Sequence, residues 1–398
     1  NNGNDGRDAA ARLTRRGVRV TLIGAADAPA TLPASDLVID AAFGTGFRGE
    51  YDAPDPRGAP VLAVDIPSGV DGLTGAAGGG AVRATATVTF AALKPGLLVP
   101  PGRALAGHVR LADIGLDVAA ATAHLVEAAD VAAWLPHRAV DAHKWQAAVW
   151  IVAGSPGMTG AAALASRGAQ RGGAGYVRLS TPGGLATAAE EVVRTALPAT
   201  GWAGEVIVGA GRFRALAIGP GLGRDHDQDV RRLVAEVPIV PVVVDGDGLT
   251  ALGRDVARFT ADRAVPAVLT PHDGEYERLA DRPVGADRLS AARALARDAQ
   301  AVVLLKGPTT VVAGPDGHAL LVTEGDVRLA TAGSGDVLTG IIAALLAGGL
   351  DPWRAAAAAA WLHGRSASLG FARGLVAGDV AEHLPEVFEQ LERPEREA

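Results

Sequence analysis

Thr331-Ala332-Gly333-Ser334-Gly335-Asp336-Val337-Leu338-Thr339-Gly340 is the stretch on which the reading of this chain turns. Gly-Ser-Gly lets the backbone approach a ligand closely. The apolar run behind it, residues 337 to about 346, predicts a helix that opens at this point. A helix N-terminus aims free N–H groups and the positive end of its dipole at whatever lies in front, so the loop reads as an anion hole. Asp336 in the first turn can be read in two ways. As an N-terminal cap it would contribute roughly 0.3–1 kcal/mol; as a general base it would stand beside the anion hole. A cap alone has no need of the glycines, and they favour the base.

Working outward, a second long helix is expected over residues 352–369. Upstream, strand-like runs recur at 147–153, 215–218, 239–244, 267–269, 302–305 and 310–312, with a Gly-rich turn at 154–160 and a helix to about residue 172. Residues 117–142 read as a polar, Ala-rich connection, which places a boundary near residue 120 and gives two domains, 1–120 and 121–398. Before it come a helix at 7–16 and strands at 18–23, 36–43, 60–65, 84–93 and 108–114. Near-continuous apolar strands separated by helices imply an α/β fold, with parallel sheets covered on both faces.

The 398 residues are 48% hydrophobic and 20% charged, the balance of a globular chain. Net charge is −7 with no long basic block, which argues against nucleic acid as partner. There is no cysteine, so disulfides, Cys-type zinc sites, iron–sulfur clusters and Cys nucleophiles are excluded. The apolar runs at 341–350 and 355–362 fall short of the roughly 20 residues of a membrane span, and a cytoplasmic protein is expected. The single methionine is Met158, so the chain is expected to be an N-terminally truncated fragment. Lysine is almost purged: Lys94, Lys144 and Lys306 stand against 34 arginines, as if kept where a compact point charge is needed.

Several familiar chemistries are absent. No lysine follows a glycine, which removes the P-loop, and no HExxH occurs. Gly44-Thr45-Gly46-Phe47-Arg48-Gly49 has GxGxxG spacing after a strand, but Glu50-Tyr-Asp-Ala-Pro-Asp-Pro56 cannot open the helix that a dinucleotide fingerprint requires. A phosphate-contacting nest or a plain tight turn remains for that loop.

Gly333-Ser-Gly-Asp336, together with Gly219-Pro-Gly221-Leu-Gly223, Val244-Asp245-Gly-Asp247-Gly-Leu249, Thr270-Pro-His272-Asp-Gly-Glu275 and Leu305-Lys306-Gly307-Pro308-Thr309-Thr310, resembles the ribokinase-like fold. More narrowly it resembles the ADP/ATP-dependent NAD(P)H-hydrate dehydratases. His143-Lys144 and Gly154-Ser-Pro-Gly-Met-Thr-Gly160-Ala161 match the opening of that domain. The first domain is similar to NAD(P)H-hydrate epimerases through Asn1-Asn2-Gly3-Asn4-Asp5-Gly6, Asp40-Ala-Ala-Phe-Gly-Thr-Gly46, Val64-Asp65-Ile-Pro-Ser68-Gly and Leu93-Lys94-Pro-Gly-Leu-Leu98. The order of the two resembles the bifunctional nicotinamide-nucleotide repair proteins over essentially the whole chain. All three lysines fall in these motifs. Asn4 replaces a family glycine, a position expected to be a loop with φ > 0 that asparagine tolerates.

The resemblance implies a Rossmann-like three-layer epimerase domain, here truncated, followed by a ribokinase-like α/β/α domain. It implies repair of NADHX and NADPHX, the C6 hydrates of reduced nicotinamide nucleotides. The first domain would interconvert R and S forms. The second would dehydrate the S form with ADP, or ATP in its place, and Mg2+. In this reading Asp336 is the base and the Gly333 to Gly335 amides stabilise the phosphoryl group. Lys306, Gly307, Pro308, Thr309, Thr310 and Gly335 hold the nucleotide; Ala161, Gly221, His272 and Asp336 meet the hydrate. In the epimerase, Asn1, Asn2, Gly3, Asn4, Asp5, Gly44, Thr45, Gly46, Phe47, Arg48, Gly49, Glu50 and Asp65 bind substrate. Asn2, Asp40 and Ser68 hold K+, and Asp65 is the acid–base candidate, with a turn-capping carboxylate as its alternative. A homo-oligomer is expected. The rivals are a vitamin or sugar kinase on the same fold, and a first domain that is only a binding module.

Overall fold

The computed structural model describes residues 2–392. The chain forms two units, Asn1–Ala121 and Thr122–Ala398. In the first unit α1 (Asn2–Arg15) precedes β1 (Val38–Asp40), β2 (Val61–Val64), β3 (Ala86–Phe90), the one-turn α2 (Gly102–Leu105) and β4 (His108–Ala112). The strands stand in the order β1-β2-β3-β4, and every pairing is parallel. Ile66, Val70, Leu97 and Ala106 form one buried cluster of this unit, and Val61, Ala63, Val82, Ala84 and Val99 are buried as well.

Two expectations fail in this unit. Residues 18–23 form no strand, and Val18 and Leu22 are 48% and 63% exposed. Alternation supplies a face, but a strand exists only where a neighbour takes its backbone groups, and β1 is paired with β2 alone. The Asn-Asn-Gly-Asn-Asp-Gly segment, expected as a loop, is helical from Asn2. Asn4 therefore needs no positive φ, and its Oδ1 accepts from Arg7 Nη1 at 3.1 Å. Asn4 is thus a first-turn residue of α1 rather than a loop residue. As expected, no helix follows Gly49.

The second unit runs β5 (Ala123–Leu125), α3 (Ala128–Trp134), β6 (Ala148–Val152), α4 (Thr159–Arg171), β7 (Tyr176–Pro182), β8 (Val193–Leu197), α5 (Ala203–Ala210), β9 (Ala215–Ile218), α6 (Asp227–Glu236), β10 (Val242–Val244), α7 (Asp247–Leu252), α8 (Ala257–Thr260), β11 (Val268–Leu269), α9 (Asp273–Ala280), α10 (Arg288–Ala299), β12 (Val302–Leu305), β13 (Thr310–Ala313), β14 (Ala319–Val322), α11 (Ser334–Ala347), α12 (Pro352–Leu369) and α13 (Ala377–Glu392). Its ten-stranded sheet has the order β5-β14-β13-β12-β11-β10-β9-β6-β7-β8. Only β12–β13 and β13–β14 are antiparallel. The stretch 117–142, expected as a plain connection, supplies β5 and α3. Three residues are too few for periodicity to register, but β14 offers them a free edge and they pair parallel to it.

β6, β9 and β12 are buried at every position, as strands covered on both faces must be. α11 is buried from Val337 to Ala347. It crosses α4 closely because Gly340 has no side chain: a Cβ there would come 2.6 Å from Ala169 N. That contact fixes α11, and with it the position of its N-terminus. Among the described residues no helix is long and apolar enough to cross a membrane.

Candidate active site

In open α/β sheets, ligands bind outside the carboxyl ends of parallel strands, where loops leave the sheet. In the second unit Asp245 follows β10, Thr270-Pro-His272 follows β11, and Lys306 follows β12. The N-terminus of α11 joins them. Together they line a cavity of about 430 Å³ that includes Asp245, Gly246, His272, Glu275, Lys306, Thr331, Gly333, Ser334, Gly335 and Asp336.

Asp245 is buried and its oxygens are taken from three directions. Oδ1 accepts from Lys306 Nζ at 2.9 Å and Thr270 Oγ1 at 2.8 Å; Oδ2 accepts from Thr339 Oγ1 at 2.8 Å. Burial, the largest influence, pushes this carboxyl up, but Lys306 and the two hydroxyls together hold it below its ordinary value. Lys306 Nζ also lies 3.6 Å from Glu275 Oε2. Burial pushes the ammonium down, and the two carboxylates outweigh it, so Lys306 is held charged. A fixed positive charge thus stands on the cavity floor.

Asp336 stands across from it. The N-cap of α11 is Gly333, at φ +88°, and no side chain caps the helix. Asp336 lies in the first turn of that helix rather than at its N-cap position. Burial pushes its carboxyl up to about 7; Asp245, Asp247 and Glu275 add to the effect, and Lys306 opposes it. A carboxylate tuned to that range can both take and hold a proton near neutral pH. The Ser334 N–H is spent on Thr331 O at 3.3 Å, so of the expected Gly333 to Gly335 amides this one is already bonded within the chain. Gly335 keeps the approach open: a Cβ there would be 3.5 Å from Lys306 Nζ and 3.7 Å from Asp245 Oδ2.

The other expected residues are placed as follows. Ala161 and Gly221 meet each other, since a Cβ on Gly221 would stand 3.0 Å from Ala161 Cβ, but neither lines the cavity. His272 does, while also capping α9: its Nδ1 accepts from Gly274 N (3.0 Å) and Glu275 N (3.3 Å). In the neutral ring the proton then sits on Nε2. Gly307, Pro308 and Thr309 form the turn from β12 into β13, which Thr310 begins, and Thr309 is buried. Arg288 holds this turn by donating Nη2 to Lys306 O at 2.7 Å.

The sequence reading named no role for His363. It is buried on α12, and its Nε2 lies 2.9 Å from Ser334 O, bracing the Gly-Ser-Gly loop from behind. Burial pushes its imidazole down to about 4, so it is neutral there; the Ser334 carbonyl opposes that shift, and Lys306 adds to it. Nothing local marks it, since 29 residues separate the partners.

The first unit places its candidates at the corresponding ends of β1 and β2. Asp40, buried, accepts from Ser68 Oγ (2.6 Å) and Ser68 N (2.8 Å). Burial pushes its carboxyl up against those hydrogen bonds. Gly6 lies against Ala41, where a Cβ would come 2.7 Å from Ala41 Cβ, so the start of α1 reaches the end of β1. Gly3, Asn4 and Asp5 lie in the first turn of that helix, with Asn4 and Asp5 exposed. Asn1 and the side chain of Asn2 lie outside the described residues. Phe47, Arg48 and Gly49 line a smaller cavity of about 200 Å³ with Asp71 and Thr74. Gly44, Thr45, Gly46 and Glu50 belong to the same loop but are not in its lining. Asp65 follows β2 and binds Lys94 Nζ at 2.5 Å. Among the described residues no group of three His, Asp or Glu side chains could hold a metal by itself.

Comparison with known proteins agrees with this division. Residues 149–389 match the family described as NAD(P)H-hydrate dehydratase, and residues 23–96 match the YjeF-related protein N-terminus. A bifunctional NAD(P)H-hydrate repair enzyme of Moorella thermoacetica is 42% identical over 90% of this chain and 74% of that protein. Its counterpart in Escherichia coli is 33% identical over 90% and 72%. Among solved structures, the ADP/ATP-dependent NAD(P)H-hydrate dehydratase of Bacillus subtilis, co-crystallised with ATP/Mg2+, covers 67% of this chain and 98% of that one. It is 31% identical, with a TM-score of 0.57. With an epimerase-type unit ahead of a ribokinase-like unit, and relatives matched across both, the chain belongs to the family of bifunctional NAD(P)H-hydrate repair enzymes.

Proposed function

We propose that this chain itself carries both activities: R–S epimerisation of NADHX and NADPHX in the first unit and ADP-driven dehydration of the S form in the second. The observation that carries the proposal is Asp336. It stands in the first turn of α11, raised to about 7 chiefly by burial, in one cavity with the Lys306 ammonium. The C6 hydroxyl loses its proton to Asp336 as its oxygen takes the terminal phosphoryl group of ADP. The first-turn amides and Lys306 stabilise the charge in transfer. The ring nitrogen then pushes out phosphate, C5 gives up a proton, and NAD(P)H, AMP and phosphate result. Lys306 to Thr310 and Gly335 would hold the nucleotide, and His272, Ala161 and Gly221 the hydrate.

Mg2+ fits as a companion of the nucleotide. It is commonly held by one or two carboxylates plus phosphates, and the site offers separate acids rather than a closed cage. In the first unit, Asp40 and Ser68 bring two oxygens together with the Phe43 carbonyl 3.3 Å from Ser68 Oγ. That all-oxygen set suits a hard cation, and Asp40, Ser68 and Asn2 would hold K+, which would supply fixed positive charge beside the substrate. Asp65 would be the epimerase acid–base group. A homo-oligomer working in the cytoplasm, with small molecules as its partners, completes the reading on family grounds. A kinase on this fold would keep phosphate on its product and has no use for the first unit. Phosphate release from ADP that depends on added S hydrate, in step with NADH formation, supports the dehydratase. A stable phosphorylated product would refute it.

A further inference from the structure

Lys94, on the loop after β3, is one of only three lysines beside 34 arginines. We propose that Lys94 is the positioning residue of the first unit: it clamps one oxygen of Asp65 and leaves the other, Oδ2, as the atom that exchanges a proton with substrate. This rests on the reading of Asp65 as the epimerase acid–base group. Three observations carry it.

The first is the backbone. Asp65 lies at φ +71°, in the left-handed region that few non-glycine residues adopt. Aspartate tolerates that region better than most residues, and the conformation fixes where the carboxylate leaves the chain. The second is the ammonium. Lys94 Nζ lies 2.5 Å from Asp65 Oδ1, 2.9 Å from Thr89 Oγ1 and 2.9 Å from Phe90 O. An ammonium has three N–H bonds, and all three are spent. Lys94 thus holds rather than reacts, and a planar guanidinium fork could not meet three acceptors so placed. The third is the division of labour on the carboxylate. Oδ1 also takes the Thr89 hydroxyl at 3.2 Å and the Phe90 N–H at 3.3 Å. Among the described residues no group bonds Oδ2, and the Asp65 side chain is 14% exposed. One oxygen carries three hydrogen bonds and the other is open. That is the pre-organisation a proton-transfer group requires.

The chain has no cysteine, so Lys94→Cys introduces a single thiol. Aminoethylation of that thiol restores an ammonium at nearly the length of lysine; carboxamidomethylation adds similar bulk without charge. R-to-S conversion is measured on the full chain, with dehydration of pure S hydrate as internal control. Lys94→Cys should lose at least tenfold in epimerase kcat with KM within a few-fold. Aminoethylation should restore it, carboxamidomethylation should not, and dehydration should be unchanged throughout. Full epimerisation by Lys94→Cys, or equal recovery with both reagents, overturns the clamp. Asp65→Asn is run beside it. If Asp65→Asn stays fully active, the reading of Asp65 itself fails; if it is dead while Lys94→Cys is normal, only the clamp fails. A readout without turnover comes from reductive methylation followed by mass spectrometry. In the intact chain Lys94 should label at least tenfold more slowly than the exposed Lys144, and Asp65→Ala should speed it. Equal labelling of Lys94 and Lys144 overturns the proposal.

Discussion

Asp336→Asn separates base from cap on two independent axes. The substitution keeps size and most hydrogen bonding but cannot accept the hydroxyl proton, and loss of a general base costs about 10²–10⁴-fold. The dehydratase rate should collapse by that factor while ADP binding, by titration, stays within a few-fold. Epimerisation should continue. The second axis is stability. The carboxyl is raised from 3.8 to about 7 in the fold. An acid shifted upward favours the folded state while protonated, so its contribution is complete below the unfolded value and is lost as pH rises through about 7. At ~1.4 kcal/mol per unit, ionising Asp336 in place costs about 4 kcal/mol in full, of which about 2–3 kcal/mol accrues between pH 5 and pH 8. Asparagine escapes that cost, so the variant should gain on the wild type by this amount as pH rises. A cap would behave oppositely: losing its charge at a helix N-terminus would cost roughly 0.3–1 kcal/mol, and more at high pH than at low. All six tryptophans lie in the second unit, so urea unfolding followed by their fluorescence reports this unit alone. Parallel pH–stability curves together with near-normal dehydration would refute the assignment. For the wild type, kcat/KM should rise with pH through about 7, the range in which Asp336 becomes a base.

Other outcomes follow from the same geometry. Lys306→Ala leaves Asp245 buried without its cation; it should destabilise the second unit by about 3–5 kcal/mol, toward the low end because the lysine side chain is 22% exposed. It should also raise KM for ADP, and unchanged ADP kinetics would leave Lys306 a purely structural ion. Gly335→Ala adds a Cβ at ordinary contact distance, so stability should hold or rise by up to about 1 kcal/mol, while KM for ADP increases as the phosphoryl approach narrows. Gly333→Ala differs because φ is +88°: it should cost about 1–3 kcal/mol and lower dehydration with it. Equal stability of the two alanine variants would contradict this. The first unit, with a four-stranded sheet against ten strands and fewer buried apolar side chains among the described residues, should unfold at lower urea than the second, so that far-UV circular dichroism begins to fall before tryptophan fluorescence moves. Coincident transitions would argue otherwise.

Much of the second unit was legible because its signals are local. β9, β12 and α12 appear at the residues expected, and the Gly-Ser-Gly-Asp loop does open a buried helix. Two of the three lysines do meet a carboxylate at the end of a parallel strand; the third, Lys144, instead lies over the Tyr176 ring at 5.6 Å. What was not legible depends on distant partners. Asp336 owes its tuning to burial and to charges on other loops. Asp245 is fixed by Lys306 and Thr339, 61 and 94 residues away. Residues 18–23 carry the pattern of a strand but no neighbour, while 123–125 carry almost no pattern and gain one. Periodicity speaks of faces, and pairing is decided by what stands alongside.

The central claim, two repair activities on one chain, is tested most directly by recovery of nicotinamide absorbance from an equal mixture of R and S hydrates with ADP and Mg2+. A fast phase that consumes the S form should be followed by a slower phase that continues until the whole pool returns as NADH, with one phosphate released per molecule. Asp336→Asn should abolish both phases, and Asp65→Asn should slow only the second to the uncatalysed rate of epimer exchange. Absence of ADP-dependent recovery would contradict the dehydratase. A second phase no faster than uncatalysed exchange would contradict the epimerase.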